Sequence, residues 1–122
     1  MTPSDPALDE ALSTTSARSP HRACFLLQVR PERLLEYVEV HQHVWDTMRA
    51  ALTRCGWSRY SLFLRPRDGL VVGYFESDDV TAAMEAMSAQ DVDRAWQAEM
   101  SPYFTAPDGG TPELLSQYFY LP

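Results

Sequence analysis

The apolar residues of this chain change from strand-like to helix-like spacing and back again, in an order that few folds accommodate. The continuous apolar run from Cys24 to Val29 predicts a central strand buried on both sides. The spacing then becomes steps of four and three, which predicts an amphipathic helix from about Glu32 to Cys55, ended by Gly56. The members of this stripe are Leu34, Val38, His41, Trp45, Met48, Leu52 and Cys55.

A hairpin is predicted directly after this helix. Residues 57–64 alternate with a period of two, which is typical of a strand. The turn sequence PRDG spans Pro66 to Gly69, and the run from Leu70 to Glu76 supplies the returning strand. The alternation predicts one face made of Ser58, Tyr60, Leu62 and Leu64 and an opposite face made of Trp57, Arg59, Ser61 and Phe63.

Two helices and a closing strand are predicted in the last third of the chain. Asp78 or Asp79 can cap a helix that reaches about Ala89, and Asp91 can cap a second helix that reaches Met100. A loop rich in proline and glycine follows, and within it residues 105–111 form either the rim of a site or a simple connector. The aromatic run LLSQYFYL, residues 114–121, predicts a terminal strand.

The order strand, helix, strand, strand, helix pair, strand is the split βαβ pattern of an α+β, ferredoxin-like fold. In this fold the helices cover one face of the sheet. The strands are apolar on their other face too, and no helices remain to cover it. A second copy of the sheet is the simplest cover, so we expect a homodimer that packs through the sheet face as a dimeric α+β barrel.

The length and composition of the chain indicate one domain and exclude some classes of binding partner. The 122 residues carry a net charge of -7, and the ten basic residues form no cluster, which argues against nucleic acid and anionic membranes as partners. Residues 1–21 lack hydrophobic periodicity and are expected to form a flexible tail before a domain at 22–122. Two cysteines in apolar runs, and an N-terminus without the features of a signal peptide, favour the cytoplasm.

One face of the long predicted helix carries the best candidate for chemistry. Tyr37, His41 and Trp45 are spaced four apart, which predicts an imidazole held between two aromatic rings. Such a histidine can exchange protons near neutral pH, although a histidine on an apolar face can equally be a satisfied core residue. We expect Trp45, a large aromatic residue, to belong to the core. His41 and His43 are two residues apart on the predicted helix, so their side chains point in nearly opposite directions and cannot share a ligand, and we expect His43 to face solvent.

The chemistry that remains is proton transfer on a neutral polar ligand. The five glycines form no phosphate-binding motif, and Cys55 lies too far along the helix to pair with His41. Imidazole, phenol and indole groups suit a sugar, whose C–H faces stack on rings while its hydroxyls form hydrogen bonds.

Several segments together resemble the L-rhamnose mutarotase family. The run EYVEVHQHVW contains that family's Glu-Tyr, three residues, His, then aliphatic-Trp pattern. Four further segments agree in order and spacing, and they are RACFLLQV, GWSRYSLFL, DVDRAWQAEM and the terminal YFYLP. The resemblance covers residues 22–122 and implies a dimeric ferredoxin-like enzyme that interconverts the α and β anomers of L-rhamnose without metal or organic cofactor.

The resemblance also assigns roles to individual residues. His41 matches the family's proton donor, and Tyr37, Tyr60 and Trp96 match residues that line the sugar. Gln97 stands where many members carry a second tryptophan, and its amide can still bond a hydroxyl. We therefore expect protonated His41 to deliver a proton to the ring oxygen of L-rhamnose or a related 6-deoxy sugar, with the base left open.

Two other functions are compatible with the same scaffold. A small cofactor-independent monooxygenase is one, because dimeric α+β barrels carry several chemistries. A non-catalytic ligand-binding protein, in which His41 only satisfies a buried hydrogen bond, is the other.

Overall fold

Five α-helices and four strands make up the part of the chain that the structure, a computed structural model, describes: residues 5–15, 17, 19–105 and 109–122. In chain order they are α1 (Pro6–Thr14), β1 (Arg22–Gln28), α2 (Leu34–Val40), α3 (Asp46–Arg54), β2 (Ser58–Arg65), β3 (Leu70–Glu76), α4 (Val80–Ser88), α5 (Asp91–Met100) and β4 (Glu113–Leu114). Three short 3-10 turns lie at Pro31–Arg33, His41–His43 and Ser101–Tyr103.

The four strands form one antiparallel sheet in the order β2-β3-β1-β4. β1 and β3 pair along their whole length at the centre, from Arg22 opposite Glu76 to Gln28 opposite Leu70. α2 and α3 connect β1 to β2, and α4 and α5 lie between β3 and β4. This connectivity confirms the predicted ferredoxin-like fold and the predicted hairpin, whose turn places Gly69 at a φ of 80°.

The helices cover one face of the sheet and form the core with it. Phe75, Val29 and Val71 are the most deeply buried large side chains, and all three come from the sheet or its edge. On the helix side they meet Met48, Ala51, Ala83, Met87, Trp96 and Met100. The central position predicted for β1 is confirmed, but Leu26 on its other face is only half-buried within the single chain.

The single long helix predicted from about Glu32 to Cys55 is wrong, because the structure breaks it into α2 and α3. His41 ends α2, and both Val44 and Trp45 have extended backbones with ψ of 136°. Three of the four residues of the segment HQHV are weak helix formers, and Asp46 provides an acidic first turn that favours a new helix start. Tyr37, His41 and Trp45 therefore do not share one helix face.

The strict alternation predicted for β2 is also wrong at its start. Arg59 has a φ of 49°, and the pairing with β3 shifts register between Ser58 and Ser61. Such a bulge adds a residue to one strand and turns the following side chains relative to the preceding ones. As a result the rings of Trp57 and Tyr60 lie on the same side of the sheet, 4.9 Å apart, whereas alternation had separated them.

The N-terminal end of the chain has more regular structure than predicted, and the C-terminal end has less. Helix α1 lies within the predicted tail, capped by the Asp5 carboxylate, although none of its residues is buried. Residues 1–4, 16 and 18 of that tail are outside the described residues, as are residues 106–108 of the predicted rim or connector. The terminal strand predicted at residues 114–121 shrinks to β4, which pairs with β1 only at Glu113 and Leu114, with one further backbone bond from Leu115 to Cys24.

The last two predicted helices are confirmed with one change at a cap. The Asp79 side chain accepts a hydrogen bond from the backbone N–H of Ala82 at the start of α4. Asp91 is the first residue of α5 rather than its cap, and Gln90 occupies the cap position without a side-chain bond.

Candidate active site

The helix break places His41 in a turn at the end of α2, with its ring bonded to the chain one turn earlier. Its Nδ1 lies 2.8 Å from the backbone oxygen of Tyr37. A carbonyl oxygen can only accept a hydrogen bond, so Nδ1 must carry the hydrogen in this contact. In the neutral ring Nε2 then holds the lone pair, which fixes the tautomer that meets a ligand.

Aromatic rings surround the half-buried imidazole. The Tyr37 ring centroid lies 4.3 Å from that of His41, and the Trp96 ring meets it edge-on at 5.5 Å. Burial lowers the pKa of His41 below 6.5, and the bond to the Tyr37 oxygen opposes this only in part. The neutral imidazole is therefore the main form at neutral pH.

Tyr37 lies behind the imidazole rather than on the wall of a cleft. Its side chain is 5% exposed, and its ring packs 6.0 Å from Tyr103 and 5.9 Å from Phe104. Burial raises the pKa of its hydroxyl to about 12, so this phenol stays neutral. The Tyr37 ring packs on the imidazole, and its hydroxyl lies close enough to that of Tyr60 to influence the pKa of Tyr60.

An open cleft of about 690 Å³ lies beside His41, between α3, α5 and the sheet. It brings His41 together with three of the other predicted site residues, Tyr60, Trp96 and Gln97. Tyr60 is 38% exposed, and its pKa is raised by burial of the hydroxyl, with contributions from the nearby Tyr37 and Asp93 groups. The Tyr60 hydroxyl therefore remains a neutral donor and acceptor.

Only one of the two tryptophans at this site lies where the sequence suggested. Trp96 is 6% exposed and lines the cleft. Trp45, expected in the core, is 37% exposed and packs edge-on against Trp96 at 5.0 Å. His43 is exposed as predicted.

Sequence reasoning missed three charged residues that line the cleft, Arg49, Arg59 and Asp93, of which Arg59 is paired with Glu76. Arg49 lies on α3, and Asp93 lies on α5 four residues before Gln97, whose amide Nε2 donates to the Asp93 carboxylate at 3.3 Å. The i, i+4 spacing was visible in the sequence, but nothing in it showed that this face of α5 borders a cleft.

Residues 22–121 match the family model for L-rhamnose mutarotase. The chain belongs to the L-rhamnose mutarotase family. A relative from Acidiphilium cryptum, an L-rhamnose mutarotase, is 34% identical over 100 residues, which are 80% of this chain and 95% of that protein. The resemblance drawn from the sequence segments is thereby confirmed.

Solved structures agree on the fold of this family member. A crystal structure of an L-rhamnose mutarotase from Formosa agariphila superposes with a TM-score of 0.69 at 17% identity, over 83% of this chain and 98% of that one. A dimeric ferredoxin-like protein from an uncultured marine organism superposes with a TM-score of 0.52 at 11% identity, over 79% of this chain and 88% of that one. At such identities the similarity concerns the fold alone.

Two features are absent from the part of the chain that the structure describes. No helix in that part is long and apolar enough to cross a membrane. No group of three or more His, Cys, Asp or Glu side chains within the same ranges is placed to hold a metal ion.

Proposed function

We propose that this protein interconverts the α and β anomers of L-rhamnose, or of a related 6-deoxy sugar, by opening and closing the sugar ring without a cofactor. Its family supports an isomerase of this kind. The observation that carries the proposal is the bond from His41 Nδ1 to the Tyr37 oxygen, which leaves Nε2 as the reactive nitrogen of a ring that lines the cleft.

The lowered pKa of His41 revises the expected direction of proton transfer. Because the neutral ring dominates, Nε2 first accepts the proton of the anomeric hydroxyl. The imidazolium formed in this way then gives that proton to the ring oxygen, and the C–O bond of the hemiacetal breaks to leave an aldehyde and a hydroxyl. One nitrogen can serve both atoms because the anomeric and ring oxygens are bonded to the same carbon.

Ring closure reverses these steps after rotation about the bond between C1 and C2. The hydroxyl returns its proton to Nε2 as it attacks the other face of the aldehyde, and Nε2 returns the proton to the new anomeric oxygen. His41 ends in its starting form, so the cycle consumes no proton. The general base that the sequence left open is, in this proposal, His41 itself.

The remaining site residues bind the sugar in this proposal. The neutral Tyr60 hydroxyl and the exposed Gln97 amide bond its hydroxyls, and Trp96 contacts its apolar face. Tyr37, which matches a sugar-lining position of the family, contributes by holding the imidazole.

We further propose that the protein works as a homodimer in the cytoplasm. The open face of the sheet supports the dimer, since Phe63 on that face is 63% exposed. The two cysteines, Cys24 and Cys55, are both free, which suits a reducing compartment. Neither nucleic acid nor a membrane is part of the proposed function.

Saturation-transfer NMR on L-rhamnose tests the activity. Added protein should raise the exchange rate between the α and β signals in proportion to its concentration. Unchanged exchange, together with dioxygen consumption in the presence of an aromatic substrate, would favour the monooxygenase alternative. Unchanged exchange with binding of the sugar alone would favour the ligand-binding alternative.

A further inference from the structure

A carboxylate and an amide lie side by side on the wall of the cleft that α5 forms. Asp93 and Gln97 are one turn apart on α5, and the Gln97 Nε2 donates to Asp93 Oδ1 at 3.3 Å. Both residues line the same cleft as His41 and Tyr60. Since a carboxylate only accepts, this contact fixes the orientation of the amide and turns its oxygen away from Asp93.

Asp93 has capacity left for a ligand. It is half-buried, and within residues 5–15, 17, 19–105 and 109–122 it forms no salt bridge and accepts no hydrogen bond other than that from Gln97. Its second oxygen and the Gln97 oxygen are thus two acceptors on one wall. Hydroxyl donors of a sugar complement them, and hydrogen bonds to a charged acceptor are the stronger kind.

The carboxylate of Asp93 lies close enough to the Tyr60 hydroxyl to influence it. The field of its carboxylate reaches the Tyr60 hydroxyl, where it adds to the effects of burial and of Tyr37 in raising the pKa. The pKa of His41 responds instead to burial and to the Tyr37 oxygen. Asp93 therefore shares the part of the cleft that Tyr60 lines, where it can meet hydroxyls of a bound sugar.

We propose that Asp93, oriented by Gln97, is a specificity-determining residue that accepts hydrogen bonds from the C3 or C4 hydroxyl of the sugar. This inference rests on the proposed mutarotase function. Gln97 stands where many family members have a second tryptophan, so one stacking surface is missing here. The charged contact from Asp93 compensates by binding the sugar through hydrogen bonds. Such a contact forms equally in the ground state and the transition state, so it acts on KM rather than kcat.

Anomer-exchange kinetics of the variant Asp93→Asn test the proposal. KM for L-rhamnose should rise about ten-fold while kcat changes less than about two-fold, since a charge-assisted hydrogen bond is lost and the reacting atoms are untouched. Glu99→Gln is the matched control, because it removes the same charge from an exposed position of α5 outside the cleft lining. That control should leave both constants unchanged. Asp93→Ser provides a second variant if Asp93→Asn is poorly folded.

Deoxy sugars identify which sugar hydroxyl Asp93 binds. Their results also distinguish a failure of this proposal from a failure of the proposed function. The 3-deoxy or the 4-deoxy analogue of L-rhamnose should lose about ten-fold in kcat/KM with the unmodified protein and nothing further with Asp93→Asn. The role of Asp93 would be overturned, with the mutarotase function intact, by an unchanged KM in Asp93→Asn. It would also be overturned if, for both analogues, the loss in kcat/KM from the missing hydroxyl were as large in Asp93→Asn as in the unmodified protein. If the unmodified protein does not accelerate exchange of L-rhamnose, the proposed function itself fails.

Discussion

At the residue scale, one hydrogen bond decides what His41 can do. The Tyr37 oxygen takes the Nδ1 hydrogen, so the lone pair is on Nε2, and burial favours the uncharged ring. A histidine held by a carbonyl in this way is both oriented and confined to one tautomer. The same contact is compatible with a merely structural histidine, but His41 lines a cleft, and its second nitrogen is left free to act as a base.

The pH dependence of the rate follows from the lowered pKa of His41. The neutral form is the starting base, so acceleration of anomer exchange should be constant at and above neutral pH and should fall as the pH drops through a pKa below 6.5. Exchange rates between pH 4.5 and 8, corrected for the uncatalysed reaction, measure this. A rate that rises as the pH falls would show instead that the imidazolium is the starting form.

Tyr60 offers a change that separates activity from stability. Its ring packs 4.9 Å from Trp57, and its hydroxyl has no hydrogen-bond partner among the described side chains and backbone groups. Tyr60→Phe should therefore lower kcat/KM about ten-fold while leaving the free energy of unfolding equal or higher. Denaturant melts and exchange kinetics on the same preparation check this. A clear loss of stability would mean that the hydroxyl serves the fold.

Much of the site was predictable because its members match family segments, and the remainder depends on three-dimensional packing. His41, Tyr60, Trp96 and Gln97 were named from the sequence, and the structure brings them to one cleft. The tautomer of His41 cannot be read from spacing, because it depends on how the ring is turned toward the Tyr37 oxygen at the end of α2. The access of Asp93 to the cleft depends on contacts between separate elements.

At the element scale, the sequence patterns failed where the backbone departs from a regular period. The stripe of steps four and three continued across residues 41–45, but the chain leaves the helix there and resumes as α3. The bulge at Arg59 likewise reversed the face expected for Trp57. Both departures border the cleft, and functional sites are where proteins most often depart from regular local structure.

The pairing of β1 with β3 depends on one glycine. Gly73 lies opposite Phe25 at the sheet centre, and a Cβ added there would overlap the Phe25 ring. Gly73→Ala should therefore lower the free energy of unfolding by about 1–3 kcal/mol, the usual effect of overpacking a buried ring. Denaturant melts followed by far-UV circular dichroism measure it. Equal or greater stability in the variant would show that Phe25 can move aside at little cost.

At the scale of the whole molecule, the order of elements predicted the fold, because split βαβ connectivity permits few arrangements. What the single chain leaves uncovered is the second face of the sheet, together with the aromatic C-terminal residues. Tyr118, Phe119 and Leu121 are each at least 70% exposed. A second copy would cover these surfaces, whereas a lone chain would present them to water.

Light scattering after gel filtration tests this assembly. At micromolar concentration the mass should be about twice the 13.9 kDa of one chain. Phe63→Asp, on the open face of the sheet, should shift the mass toward one chain, because it would bury a charge in the interface. Leu35→Asp changes an apolar side chain that is 72% exposed on α2 and should leave the mass unchanged. A monomeric mass for the unmodified protein would contradict the dimer.

The central role of His41 is tested most directly by comparing the two histidines of one turn. His41→Ala should reduce the protein's acceleration of L-rhamnose anomer exchange by at least about a hundred-fold in saturation-transfer NMR, as expected for loss of the acid-base group. His43→Ala, two residues away and exposed, should retain nearly full acceleration. Retained acceleration in a folded His41→Ala protein would contradict the account, because no proton transfer through Nε2 would then be needed.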